Sequence, residues 1–146
     1  MTRYILRIHH AFGSKNPKDL ELSLKESDHL SNTVYHANLV IYVATTLGID
    51  ALVFNKPQII VNFDGYENKP YTLSVKRFHN EDHMKKMIAC GGVKLVKNRE
   101  ELINQVNNYL EHPALDQEGR DKMFTQQLWK LDGNSPQRIA RAVSSD

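Results

Sequence analysis

The stretch Leu39-Val-Ile-Tyr-Val-Ala-Thr-Thr-Leu-Gly-Ile-Asp50 carries the most chemistry in this chain, because it places two threonines and a glycine between an apolar run and the start of a helical pattern. If the run is a buried strand, the unpaired N–H groups and the dipole at the start of the helix attract an anion there. The Thr45 and Thr46 hydroxyls then add donors for a phosphate, and Gly48 removes a side chain from its approach. Asp50, about one turn along, can accept hydrogen bonds from a ribose diol. The same residues also fit a plainer role, in which Thr46 caps the helix and Asp50 favours its positive end. Spacing alone leaves both open.

Other reactive side chains are less organised. His79 and His83 are four apart, with Glu81 and Asp82 between them, but the pattern is not H-E-x-x-H and no third ligand stands at a recognisable spacing, so no metal site is expected. His9 and His10 follow Arg7 at the end of an apolar run; they are either ligand-facing residues at a strand end or ordinary loop histidines. Cys90 lies between Ala89 and Gly91 with no spaced His and Asp to form a triad, which predicts a buried, inert thiol. Gly13-Ser14-Lys15 lacks the upstream glycine of a P-loop, and G-x-G-x-x-G does not occur. Ordinary ATPase and dinucleotide-dehydrogenase chemistry is therefore disfavoured.

The elements that must position these residues alternate. Tyr4 to Ile8 reads as a strand and Gly13 to Asp19 as the loop after it. Leu30, Val34 and Ala37 recur at helical spacing behind Ser27, predicting a helix capped by Ser27 and running to His36. Leu39 to Val43 reads as a strand covered on both faces, Thr46 to Phe54 as a short buried helix, and Gln58 to Phe63 as a second buried strand. Glu67 to Tyr71 is a loop. Asn80 caps a helix to Ala89, with Met84, Met87 and Ile88 inward and Gly91 and Gly92 ending it. Val93 to Val96 is a further strand. Asn98 with Glu101 starts an amphipathic helix whose inner face is Leu102, Ile103, Val106, Tyr109 and Leu110. Asp116 to Lys130 is helical, and Ser135 with Pro136 opens a last helix through Ile139, Ala140 and Val143. This order predicts an α/β fold, Rossmann-like and doubly wound around a mainly parallel sheet, as a single domain over 1–146 with C-terminal helices. Ligands should bind outside the carboxyl ends of its strands.

The 146 residues, 40% of them apolar, suffice for one core and are short for two. A net charge of +2, from 19 basic and 17 acidic residues, gives no stripe for a nucleic-acid backbone, so no nucleic-acid partner is expected. One cysteine cannot close an internal disulfide, which suits a reducing, cytoplasmic setting. Neither a signal peptide nor a membrane span is expected, since Tyr4, Ile5 and Leu6 are the only apolar run before Arg7 and no run approaches the length of a bilayer.

Thr45-Thr46, Asp50 and Asn55-Lys56-Pro57 resemble a pattern of GT-B glycosyltransferases and their relatives, the UDP-N-acetylglucosamine 2-epimerases and CDP-glycerol glycerophosphotransferases. Ala37-Asn38-Leu39-Val40-Ile41 is similar to the strand before the hydroxyl pair, and Arg7-Ile8-His9-His10 to an early R-x-H-P. Gly91-Gly92-Val93-Lys94-Leu95-Val96 with Glu101-Leu102 resembles a later strand and helix, and Asp132-Gly133-Asn134-Ser135 with Arg138-Ile139-Ala140 the terminal segment. His10 stands where the family has proline, and Asn38 where it has an acid.

The resemblance covers nearly the whole chain and implies the C-terminal, nucleotide-sugar-binding half-domain of such an enzyme. It implies that Thr45, Thr46, Gly48 and His9 hold the donor phosphates, that Asp50 holds the ribose, and that no cofactor is needed beyond the nucleotide-diphosphate-linked substrate. Transfer of a glycosyl or related group would require a partner, an N-terminal GT-B domain or a second subunit, so the isolated chain is expected to be inactive. A half-domain of a nucleotide-sugar 2-epimerase and a non-catalytic nucleotide-sugar-binding or regulatory module are the alternatives.

Overall fold

The computed structural model describes residues 23–43 and 45–144. The expected strand Tyr4 to Ile8, the loop after it, and His9 and His10 lie outside the described residues.

Helix α1 (Leu24–His36) starts one turn earlier than Ser27, because Ser23 is a stronger cap. Its hydroxyl accepts the Glu26 N–H at 3.3 Å, and the Glu26 carboxylate accepts the Ser23 N–H at 2.9 Å, a reciprocal capping box. The chain then forms β1 (Val40–Tyr42), α2 (Leu47–Val53) and β2 (Gln58–Val61). Two short 3-10 turns, Tyr71–Leu73 and Val75–Asn80, precede α3 (Asp82–Ala89). Asn80 is therefore not the cap of α3; Glu81 holds that position. The reason lies upstream. Asp64 accepts the Val75 N–H at 2.8 Å and the Ser74 hydroxyl accepts the Lys76 N–H at 3.1 Å, so a tight turn starts at Ser74 and Asn80 is already inside it. Gly91, at φ 76°, ends α3 as its sequence position predicts.

Strand β3 (Lys94–Val96) leads to α4 (Arg99–Glu111), α5 (Gln117–Gln127) and α6 (Ser135–Val143). Asn98 caps α4 as expected, accepting the Glu101 N–H at 2.8 Å. Gly119 of α5 presses on the turn before β3: a Cβ there would lie 2.2 Å from the Gly91 carbonyl carbon.

The fold is α/β, with a small parallel sheet ordered β1-β2-β3. Ile41 pairs with Ile59, and Ile60 with Leu95. Because side chains alternate across a strand, Val40, Tyr42, Ile60 and Leu95 share one face. There they pack with Val34 of α1, Ala51 and Leu52 of α2, Met84 and Met87 of α3 and Met123 of α5. Ile59, Val61 and Val96 share the other face with Leu102, Val106 and Tyr109 of α4. Ile103 and Leu110, expected inside, are half exposed. Helix α4 lies over β2 and β3, and among the described residues no helix covers the second face of β1, where Ile41 is 45% exposed. No helix among the described residues is long and apolar enough to cross a membrane.

Candidate functional site

A buried polar clamp sets the position of the threonine turn. The Tyr42 hydroxyl donates to Gln58 Oε1 at 2.8 Å, and Gln58 Nε2 donates to the Gly48 carbonyl at 3.0 Å. Gln58 is wholly buried, and burial pushes the Tyr42 phenol well above its ordinary value, so it stays a hydroxyl donor. This clamp joins β1, β2 and the first turn of α2. It also explains Gly48 differently from the sequence reading: a Cβ would stand 2.3 Å from the Tyr42 hydroxyl oxygen, so the missing side chain makes room for the clamp rather than for an incoming phosphate.

Above the clamp, Thr45 and Thr46 are exposed at the carboxyl end of β1. Thr46 occupies the cap position of α2, yet its side chain makes no capping bond. The Thr45 hydroxyl accepts the Leu47 N–H at a long 3.4 Å instead. The plainer role for Thr46 thus fails, and its hydroxyl has no partner among the described residues. Both threonines line a cavity of about 250 Å³ with Ile49, Phe78, Glu81 and His83.

Asp50 does not share that cavity. It lines a separate one of about 270 Å³ between α1 and α2, with Ser27, Leu30, Ser31 and Phe54. Partial burial raises its carboxyl above the ordinary value. The two groups stand on either side of the first turn of α2, and a ligand touching both would have to run across that turn. His9 lies outside the described residues.

His79 and His83 have different fates despite their helical spacing. His83 reaches the threonine cavity, whereas His79 is 6% exposed and uses both ring nitrogens, Nε2 against the Val43 carbonyl at 3.1 Å and Nδ1 against Asn62 Oδ1 at 2.8 Å. It is a strut between the carboxyl ends of β1 and β2. Among the described residues, no group of three or more His, Cys, Asp or Glu side chains comes together to hold a metal. Cys90 is half-buried, donating at 3.2 Å to the Lys86 carbonyl and to Gln126.

Sequence reasoning missed a third cavity, of about 480 Å³, at the carboxyl ends of β2 and β3. Asn62, Tyr71, Lys76, His79 and Lys85 line it. The available signal was position: Asn62 directly follows β2, where ligands of parallel sheets collect. Comparison of the chain with protein-family models, with curated proteins and with solved structures found no match.

Proposed function

We propose that the chain binds a nucleotide-diphosphate-linked donor at the carboxyl edge of its sheet, as the donor half-domain of a glycosyltransferase-like enzyme of the GT-B kind. One observation carries this reading: Thr46, at the carboxyl end of β1, lines a cavity, and its hydroxyl has no partner among the described residues. A hydroxyl left open at the start of a helix anchored by that clamp can donate to a phosphate oxygen, and it could stabilise the charge that grows on a departing nucleoside diphosphate. Thr45 is its neighbour in the same cavity. The parallel strand order, with helices packed on both sheet faces, supports a Rossmann-like, doubly wound arrangement.

Size supports the half-site reading. Cavities that enclose whole drug-sized ligands run from roughly 300 to 1,000 Å³, and the threonine cavity, at about 250 Å³, falls below that. By volume it admits a diphosphate, with the rest of the donor lying open until an N-terminal domain or a second subunit supplies the opposing wall. Asp50 would take the ribose across the first turn of α2.

Calorimetry with UDP-, GDP-, CDP- and dTDP-linked sugars tests this. One donor class should bind, with an affinity in the micromolar to millimolar range that corresponds to about 4 to 8 kcal/mol. Thr46→Ala and Asp50→Ala should each weaken it, by up to about 3 kcal/mol for a hydrogen bond to a charged group. Nucleoside diphosphate release should appear only when an N-terminal GT-B domain or second subunit is added. Absence of binding by every donor at millimolar concentration, with the fold intact, overturns the reading.

A further inference from the structure

The cavity at the ends of β2 and β3 has its own chemistry. Lys76, on the 3-10 turn, and Lys85, on α3, both line it, and among the described residues no acidic side chain does. Neither ammonium has an ion-pair partner among the described residues. The carboxylate whose field Lys76 reaches, Asp64, is turned to the Val75 N–H and the Ser74 hydroxyl. Two cations therefore stand at one cavity without a protein anion to neutralise them, which favours a bound negative charge.

The remaining lining gives that charge a context. Because His79 takes one end of the Asn62 amide, the other end, itself a hydrogen-bonding group, has no partner on the cavity wall among the described residues. Tyr71, Ile88 and Leu95 add apolar surface to the lining. A volume of about 480 Å³ exceeds the needs of a bare inorganic anion and falls within the span of small-molecule sites, roughly 300 to 1,000 Å³. Two ammoniums, an amide and apolar side chains around one cavity suit a molecule with an anionic group, hydroxyls and a carbon skeleton.

We propose that this cavity is a binding site for a small hydroxylated anion, a sugar phosphate or a sugar acid, with Lys76 and Lys85 on its charged group and the Asn62 amide on a hydroxyl. The site stands apart from the Thr45 and Thr46 cavity and does not depend on the donor reading. Titration of the ¹⁵N-labelled chain with glucose 6-phosphate, glucuronate, glucose and inorganic phosphate, followed by amide NMR, is the test. Glucose 6-phosphate or glucuronate should move the Asn62, Lys76 and Lys85 signals at concentrations about tenfold below those glucose or inorganic phosphate require, and the stronger arm tells phosphate ester from carboxylate.

A Lys76→Ala, Lys85→Ala pair, both exposed and so expected to fold normally, should weaken that response by about tenfold or more. A Thr45→Ala, Thr46→Ala pair should leave it unchanged, which separates this site from the donor site. An equal response to glucose and its phosphate, shifts confined to other residues, or no saturation by either anion would overturn the proposal.

Discussion

The two ends of the parallel sheet treat their polar groups in opposite ways. At the amino ends lies the larger cavity, about 560 Å³, beside Asn38, Pro57 and Arg120. Its buried cation is spent: Arg120 donates to Asn55 Oδ1 at 2.9 Å, to Gln117 Oε1 at 2.8 Å, and to the Pro113 and Leu115 carbonyls at 3.1 and 2.5 Å. Asn55 and Asp116 adopt left-handed φ values of 50° and 59° around this network. At the carboxyl ends, the Thr46 hydroxyl and two lysine ammoniums have no partner among the described residues. The two edges therefore differ in unspent donors, and the proposed binding edge is the one that keeps them, although its cavities are the smaller ones.

Substitutions can break that contrast. Arg120→Ala should give the largest effect, about 3 kcal/mol or more, because it strands several inward-facing acceptors at once. Urea denaturation reads it, and a loss under about 1 kcal/mol would show that the network is not structural. Gly48→Ala comes next. The added methyl must displace the Tyr42 hydroxyl from Gln58, so a loss of roughly 1 to 3 kcal/mol is expected, together with weaker nucleotide binding as the threonine turn shifts. Thr46→Ala should do the reverse of Arg120→Ala, changing stability by less than about 0.5 kcal/mol while reducing donor affinity.

The smallest effect concerns pH. The Ser74 hydroxyl, then the Val75 N–H, hold the Asp64 carboxyl below its ordinary value. A lowered value means that its ionised form supports the folded turn. That support is complete above about pH 3.9, the unfolded value, and fades as pH falls through the lowered one. The Val75 amide signal should titrate with a midpoint below about 3.9, and Asp64→Asn should abolish that titration.

Periodicity and caps made much of the framework legible. The Asn98 cap, the Gly91 stop and the inward Met84 and Met87 followed from local rules that the tertiary structure reinforces. The 3-10 turn before α3 was not legible, because it depends on Asp64 reaching eleven residues along the chain to Val75. Gly48 illustrates a related limit. Its type suggested close approach, correctly, but the approaching group is the Tyr42 side chain, which only the β1–α2 packing brings there. Thr45 and Thr46 were legible as a pair at a strand end. Lys76 and Lys85 were not, since nothing in their spacing announces that a turn and a helix bring them to one cavity.

The Arg120 to Asn55 bond joins positions 65 residues apart, whereas Tyr42 to Gln58 spans 16. Closing the longer loop costs more chain entropy before any contact rewards it. The order of assembly follows: the unit of β1, α2 and β2 can close on itself first, and the α4–α5 corner docks onto it afterwards. Interactions made after the rate-limiting step govern unfolding rather than folding. In stopped-flow chevrons, Arg120→Ala should therefore accelerate unfolding with little change in refolding, and Gly48→Ala should slow refolding.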